Sequence, residues 1–440
     1  MREWLLGFLL MTCVAGASPK EVPEVEVVVD RTHSMFYMLE CLLDRPKRST
    51  AMATTFRSRV GDWSPMEKAL EEWKESLYSK ELSALRFPDG YGRSRTLSDV
   101  LEKVSLQSDG WEDFAQRATP WLGSQAARRF STALKTLDPL YEKYWWTGPA
   151  LGGRRAELVA DMQRGDFADS FAKAMEFYQG ELQSSKAVVS LIPYHRGVGE
   201  KEVSTFGHNA GELQVFEVLT DRPDSSLAGV CFHEFVHGLW NGQNPEVARR
   251  WEQRFASHGL WGRLAYVQLN EGLATALGNG WFQQRVTSQL DERPWYNDRV
   301  IDSYARALFP IVVPILEAGR TPTDAELDAM AGAFRLALPQ ADRTFDVVAA
   351  ELLTVTERPE ARQRSFQDAL MRLGPVRSSW VKAPGDVFPS ATFVIVWRDS
   401  SAGPNSLRQT DGGWQLEFGG DSEELLQLLR QLQSSELREF

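Results

Sequence analysis

The sequence predicts an α+β fold that is predominantly α-helical and contains a small, mainly antiparallel sheet. Segments with apolar residues at helical spacing occupy most of the 440 residues. Three short β-prone runs lie near the middle of the chain, with turn residues between them. Two helical segments follow these runs. They carry histidine and glutamate among apolar neighbours, where ionisable side chains are unusual.

The N-terminus predicts export. The apolar run 4–14 follows a positive charge and precedes Ala-Gly-Ala, a pattern typical of a signal peptide and its cleavage site. We therefore expect residues 1–17 to be a cleaved signal peptide and the protein to be secreted or periplasmic. Lipidation at Cys13 is the second interpretation. It ranks lower because Thr12 is bulkier than the small residue expected before a lipid-modified cysteine.

Residues 18–185 predict a mainly helical N-terminal region. Alternating β-branched residues at 25–29 indicate an initial strand. Glycine-containing turns separate the segments that have helical periodicity. We expect helices at 34–43, 64–78, 97–106, 126–144 and 154–183.

The middle of the chain predicts the small sheet. The runs 187–193, 203–207 and 213–218 are rich in β-prone residues, and glycines and His-Asn-Ala-Gly at 208–211 separate them. We expect these runs to pair as an antiparallel sheet, with the strand order open. The segment 207–210 is a candidate for the rim that contacts a substrate, although turn chemistry explains its glycine, histidine and asparagine equally well.

The segment after the sheet predicts a helix with a metal site in its middle. His233 and His237 are four residues apart and therefore lie on one face of a helix, where both imidazoles can bind one zinc ion. Glu234, between them, is the residue type that deprotonates a water molecule beside such a metal. Neighbours such as Val230 and Leu239 are apolar, so a glutamate flanked by two histidines is costly there without a partner. The alternative is a buried polar cluster without a metal.

The third protein ligand has to come from another segment. A histidine six residues after His237 would be one solution, but Gln243 occupies that position. The stretch 261–280 predicts a second helix that ends in glycines, and Glu271 lies in it among small apolar residues, where an unpaired charge is expensive. We therefore expect Glu271 to complete one Zn²⁺ site per chain with the two histidines. We regard His258 as a helix-terminal residue rather than a ligand.

These two helical segments resemble the gluzincins, metallopeptidases in which HExxH on one helix is completed by a glutamate on the next. The resemblance covers about residues 187–280 and implies a zincin-like core with two metal-ligand helices, in which Glu234 is the general base. Asn270 resembles an amide that lies close to the metal ligands in that group. Thermolysin-like members carry an aspartate four residues after the ligand glutamate, whereas this chain has Thr275, so the support of one histidine must differ. The resemblance also implies a strand at the sheet rim that pairs with an extended peptide substrate.

A hydrolase of this type also needs a group that stabilises the oxyanion, commonly a tyrosine, histidine or arginine. Tyr296, Tyr304 and Arg306 are candidates downstream of the second helix. We select Tyr304 as the catalytic residue. The alternative is a tyrosine that packs on the apolar helix 301–309 with its hydroxyl at the surface.

The rest of the chain predicts more helices, and strand patterns appear near the C-terminus. We divide it into a catalytic region, 186–380, and a small α/β segment, 381–440, in which strands at 392–397 and 414–418 precede a leucine-rich helix. The net charge of −11, without a basic run, argues against a nucleic-acid partner. After the signal peptide, no stretch approaches the roughly 18 apolar residues that a membrane span needs. The sequence leaves the oligomeric state open.

The sequence therefore predicts an exported zinc-dependent hydrolase, first of all a metallopeptidase that acts on peptide or protein substrates. One alternative is a zincin-fold binding or scaffold protein that has lost catalysis. Glu234 counts against that alternative, because a purely structural zinc site needs no base. The other alternative is a zinc hydrolase of a non-peptide amide, and it stays open because pocket shape decides between amide substrates.

Overall fold

The computed structural model shows a predominantly helical α+β protein with two small sheets. The predicted signal peptide and most of the predicted strand 203–207 lie outside the described residues. Among the described residues, no helix combines the length and the apolar character that crossing a bilayer requires. The structure describes residues 22–43, 48–78, 97–182, 185–197, 207–210, 213–221, 226–356, 378–382, 391–398, 404–411, 413–433 and 436–438.

The N-terminal part is one strand followed by helices. Asp30 and Ser49 begin two of these helices, since their side chains accept hydrogen bonds from the backbone N–H groups of His33 and Met52. The predicted helix 154–183 is divided in two. The elements are β1 (Glu24–Val28), α1 (Arg31–Leu42), α2 (Thr50–Val60), α3 (Ser64–Tyr78), α4 (Leu97–Leu106), α5 (Gly110–Leu122), α6 (Ser124–Tyr144), α7 (Gly148–Arg164) and α8 (Phe167–Tyr178).

The first sheet combines β1 with β2 (Lys186–Tyr194), β3 (Gly207–Ala210) and β4 (Leu213–Leu219), in the order β1-β2-β4-β3. β1, β2 and β4 run parallel, and β3 is antiparallel to β4. The prediction of a mainly antiparallel sheet is therefore wrong. β2 and β4 are buried on both faces along most of their length, which is typical of parallel strands covered by helices on both sides.

The two faces of this sheet belong to different cores. Phe216 and Val218 of β4 pack in the core that contains the later helices, whereas Val215 and Leu219 pack in the core of the early helices. β1 and residues of α7 and α8 join the first of these cores. The boundary that we placed between residues 185 and 186 therefore passes through one sheet and one core.

The later helices follow β4 and carry the predicted metal ligands. They are α9 (Leu227–Asn241), α10 (Pro245–Ala256), α11 (Gly259–Ala274), a π-helical segment (Thr275–Phe282), α12 (Gln283–Thr287), α13 (Arg299–Glu317), α14 (Asp324–Ala337) and the short α15 (Phe345–Val348). The helix that we predicted to end at glycines near residue 280 continues through the π-helical segment into α12. The glycine at position 278 permits close packing against α9 and does not end the helix.

The C-terminal part forms the second sheet. Its elements are β5 (Glu351–Thr356), β6 (Ser378–Lys382), β7 (Phe393–Arg398), β8 (Ser406–Thr410) and β9 (Gly413–Gly419), and α16 (Ser422–Gln433) follows them. The strand order is β6-β5-β7-β9-β8, in which the antiparallel pair is β8 with β9. The predicted strands 392–397 and 414–418 are confirmed within one residue, and the leucine-rich helix is present. β5 belongs to this sheet, so the C-terminal unit starts before residue 381.

Candidate metal centre

Helix α9 carries the two histidines and is buried on almost every side. Cys231, Phe235 and Leu239 are fully buried, so burial of apolar surface holds the helix against the sheet and its neighbouring helices. His233 and His237 are one turn apart, and their Nε2 atoms lie 3.0 Å from each other. The two imidazoles therefore share one face, as their four-residue spacing predicts.

Glu271 reaches the two histidines from α11. The chain returns through α10, which begins with Asn244 as N-cap and Pro245 in the first turn, as the sequence indicates. The Oε2 atom of Glu271 lies 3.6 Å from the Nε2 atom of each histidine. The helical connection between α9 and α11 thus brings together residues that are more than thirty positions apart in the sequence.

The three side chains fit one zinc ion. Their donor atoms lie within 4.8 Å of one another. Tetrahedral zinc with bonds of about 2.0–2.1 Å separates its ligand atoms by about 3.4 Å. The distances between the donor atoms, 3.0 Å and twice 3.6 Å, bracket that value. The Oε2 atom of Glu271 is also buried without a hydrogen bond from a described residue, which is costly for a carboxylate unless a cation compensates it.

The ionisable groups of the site shift one another's pKa values. Burial lowers the pKa of His237, but the neighbouring Glu271 carboxylate, together with the charge of Glu234, raises it overall to about 9. Burial raises the pKa of Glu271, but the two imidazoles lower it overall to well below its usual range. Both shifts favour a protonated His237 that faces the Glu271 carboxylate when no metal is bound. Binding of a metal ion has to displace that proton.

The outer nitrogen atoms of the two imidazoles have different surroundings. The Nδ1 atom of His237 donates a hydrogen bond to the Oδ1 atom of Asn270 at 3.0 Å, a contact that orients the imidazole ring. The Nδ1 atom of His233 is buried and has no hydrogen-bond partner among the described residues. Among the described residues, therefore, only the His237 ring is held by a hydrogen bond at Nδ1.

Glu234 lies between the histidines and the edge of the first sheet. A Cβ atom placed on Gly207, the first residue of β3, would be 3.5 Å from the Oε1 atom of Glu234. β3 is the outermost strand on this side of the sheet. The base predicted from the sequence thus faces the strand predicted as a substrate rim.

The tyrosine beside the site is Tyr296, not Tyr304. The Tyr296 ring stacks parallel to the His233 imidazole, with ring centroids 5.8 Å apart and planes 10° apart. Tyr304 is fully buried, packs against Phe334 and donates its hydroxyl hydrogen bond to the backbone carbonyl of Met330 at 3.2 Å. The selection of Tyr304 as a catalytic residue is therefore wrong.

The sequence around the two tyrosines indicates which of them is buried. Tyr304 lies on α13 one turn after Ile301 and one turn before Leu308, so it occupies the apolar face of a helix and is expected to be buried. Tyr296 lies in the irregular segment between α12 and α13, where a side chain is free of helix periodicity. Loop residues held by a rigid scaffold often carry function.

Two other residues that could compete for the metal lie elsewhere. His258 pairs with the Asp328 carboxylate, 2.8 Å from its Nε2 atom, and is not part of the donor group. Cys231 is fully buried, and burial raises the pKa of its thiol. The described donor group therefore consists of the three residues predicted from the sequence.

The comparisons with known proteins add no relative. No protein-family model, no curated protein and no solved structure matches this chain. The function has to be inferred from the geometry of the site.

Proposed function

We propose that the protein is a zinc-dependent hydrolase, and specifically a metallopeptidase. The observation that carries this proposal is the donor group of His233, His237 and Glu271 with the Glu234 carboxylate next to it. Three protein ligands leave one position of a tetrahedral ion for water or substrate, whereas structural zinc sites fill all four positions with protein ligands. A buried helix that also supplies a base supports catalysis over a structural role.

The residues of the chain have distinct roles in the proposed reaction. Zinc, when bound, polarises a carbonyl oxygen and lowers the pKa of a water molecule to about 7. Glu234 accepts a proton from the attacking water and delivers it to the leaving amine nitrogen. Asn270 holds the ring of His237 in the orientation that directs its Nε2 atom into the site. Tyr296, which stacks on His233, donates a hydrogen bond from its phenol to the developing oxyanion.

The edge strand β3 supports a peptide as the substrate. One side of β3 pairs with β4, and no other strand of the described sheet lies on its opposite side. Backbone N–H and C=O groups on such an edge can pair with an extended peptide. Because Gly207 of β3 lies beside Glu234, a peptide bound along this edge passes the catalytic residues. Export through the predicted signal peptide 1–17 completes the proposal and places the enzyme outside the cytoplasm.

The first experiment combines metal content and activity. Native protein, expressed without residues 1–17, is dialysed against a weak chelator, analysed by elemental mass spectrometry and assayed with a peptide library. We expect one zinc ion per chain and cleavage of a subset of peptides. Glu234→Gln should retain zinc and lose at least 100-fold in activity, in line with the loss of a general base. Glu271→Ala should lose zinc.

The outcomes separate the proposal from its alternatives. Zinc-loaded native protein that cleaves no peptide but hydrolyses small amides would assign a non-peptide substrate. Folded native protein that binds zinc and hydrolyses neither would favour a binding or scaffold role. Full activity of Glu234→Gln would remove the general-base assignment, and a folded native protein without zinc would remove the metal centre.

A further inference from the structure

The tyrosine of the proposed site lies on an irregular segment of the chain. Tyr296 is between α12 and α13, and its ring stacks on His233 with the ring centroids 5.8 Å apart. A group that stabilises an oxyanion has to be held close to its productive position, because a displacement of about 1 Å can reduce catalysis by about 100-fold. The backbone next to Tyr296 therefore needs contacts that fix it.

Trp295, directly before Tyr296, is hydrogen-bonded through each of its polar groups. Its backbone N–H donates to the Oδ1 atom of Asp302, on α13, at 2.6 Å. Its backbone carbonyl oxygen accepts a hydrogen bond from the Nδ2 atom of Asn279, on the π-helical segment, at 2.8 Å. Its indole Nε1–H donates to the backbone carbonyl oxygen of Asp291 at 2.8 Å. Trp295 is therefore tied to α13 and to the π-helical segment at the same time.

The indole ring of Trp295 is also held by packing. The residue is 8% exposed, and a Cβ atom on Gly280 would lie 2.9 Å from its Cζ3 atom, so the missing side chain of this glycine leaves room for the ring. The centroid of the Phe309 ring is 5.3 Å from that of the indole. The guanidinium carbon of Arg306 lies 4.5 Å from the indole centroid, an attractive cation–π contact. The ring cannot shift without losing these contacts.

The hydrogen bond from Asn279 connects Trp295 to the metal centre. The π-helical segment continues directly from α11, the helix that carries Glu271. One continuous helical stretch therefore supplies a proposed metal ligand and the hydrogen bond to Trp295. The carbonyl group of Trp295 and the N–H group of Tyr296 belong to one planar peptide unit. The bond from Asn279 thus fixes the orientation of the peptide plane from which Tyr296 extends.

We propose that Asn279 and Trp295 are positioning residues, which hold Tyr296 against His233 beside the metal centre. This inference rests on the proposed function, because it assumes that Tyr296 stabilises the oxyanion. The Oδ1 atom of Asn279 is buried and has no hydrogen-bond partner among the described residues, which costs free energy. Among the described contacts, the amide group therefore contributes through its bond to Trp295. Loss of that bond should act on catalysis only through Tyr296.

The test removes the hydrogen bond between Asn279 and Trp295. Asn279→Leu replaces the amide with an apolar group of similar size, and Asn279→Ala removes it without adding bulk. Each change is made in the native protein and in the Tyr296→Phe variant, which gives a double-mutant cycle. Thr392→Val is the matched control, because the Thr392 hydroxyl also donates to a backbone carbonyl, that of Val348, but lies directly before β7 of the second sheet.

The measurements separate catalysis, metal binding and local structure. kcat and KM are determined with one peptide that the native enzyme cleaves, and the zinc dissociation constant by chelator competition. Hydrogen–deuterium exchange of the segment 291–298, followed by mass spectrometry, shows how firmly this segment is held and does not depend on activity. Circular dichroism checks the fold.

We expect both Asn279 variants to lower kcat by about 5-fold to 10-fold, because a displaced phenol stabilises the oxyanion poorly. KM and zinc affinity should stay within about threefold of native, since the lost interaction is made in the transition state. In the Tyr296→Phe background, the same changes should not lower kcat further. The segment 291–298 should exchange faster in both variants. Thr392→Val should leave kcat and this exchange unchanged.

Three results would overturn the positioning role and leave the metal centre intact. The first is native kcat in folded Asn279 variants. The second is additive loss of kcat in the double variants, because the two residues would then act independently. The third is unchanged exchange of the segment 291–298, which would show that Trp295 is held without Asn279. Native protein that binds no zinc or cleaves no peptide would remove this inference together with the proposed function, before any variant is compared.

Discussion

Gly278→Ala tests whether the close approach of two helices sets the geometry of the metal centre. Gly278 lies in the π-helical segment after Glu271, and its missing side chain faces α9. An added Cβ atom would lie 2.5 Å from the backbone nitrogen of His233, 2.6 Å from the carbonyl oxygen of Gly229 and 2.7 Å from the Cα of His233. All three are backbone atoms, so no change of rotamer can relieve the clash.

The size of the effect follows from these distances. Non-bonded heavy atoms make favourable van der Waals contact at about 3.5 Å or more. The π-helical segment therefore has to move away from α9 by about 1 Å. Overpacking of this kind costs about 1–3 kcal/mol of unfolding free energy. The shift also separates Glu271 from the histidines, whose donor atoms now lie 3.0–3.6 Å apart. A displacement of about 1 Å can reduce catalysis by about 100-fold.

The assay pairs urea unfolding with zinc affinity, measured by chelator competition. Gly332→Ala is the control, because Gly332 is exposed within α14 and an added Cβ meets nothing within 4 Å. This control should leave zinc binding unchanged and stabilise the protein by about 0.5–1 kcal/mol, since alanine is the better helix former. Native stability and native zinc affinity in Gly278→Ala would refute the reasoning, because the two helices would then tolerate a wider separation.

Three further predictions concern the hydroxyl groups of two tyrosines, the proton on His237 and the buried ion pair of Arg48 with Glu102. Tyr296→Phe should lower kcat by about 10-fold or more with little change in zinc content, whereas Tyr304→Phe should leave kcat unchanged and destabilise the protein by about 1 kcal/mol. Zinc affinity should rise about tenfold per pH unit from pH 7 toward pH 9, because the pKa of His237 is raised to about 9 and zinc binds only the neutral imidazole. Arg48→Met should destabilise the protein by about 3–5 kcal/mol in urea unfolding, because Arg48 and Glu102 form a buried ion pair at 2.5 Å.

Each of these predictions has a result that contradicts it. Loss of kcat in Tyr304→Phe and not in Tyr296→Phe would reverse the assignment of the two tyrosines. Zinc affinity that is constant between pH 7 and pH 9 would show that His237 is neutral in the metal-free protein. Native stability of Arg48→Met would show that the Glu102 carboxylate is protonated or reaches water.

The donor residues of the site could be predicted because their chemistry is local. The spacing of His233 and His237 places them on one helix face whatever surrounds them. The caps and turn residues around α10 indicate a helical return, and Glu271 stands out as a charge among small apolar residues. These features depend on residues within one helix or on neighbouring helices. The hydrogen bond between His237 and Asn270 was not predicted, because the sequence did not show which group each histidine contacts.

The strand directions of the first sheet and the contact of Tyr296 with His233 could not be predicted in the same way. An alternating pattern of side chains shows that a strand has two faces but does not show the direction of its neighbour. β1 and β2 are separated by the early helices, and their parallel pairing depends on how those helices pack. The place of Tyr304 on the apolar face of α13 indicates its burial, but only the path of the loop between α12 and α13 brings Tyr296 to His233.

The sequence by itself determined the helical class of the protein and named the three side chains that the structure brings together, because periodicity and residue chemistry act over a few positions. The tertiary structure alone decided the parallel pairing of the first sheet and the stacking of Tyr296. It also decided the close approach of Gly278 to the backbone of His233. These features arise between segments that are far apart in the chain, and their geometry is set by how the helices and the sheet pack against one another.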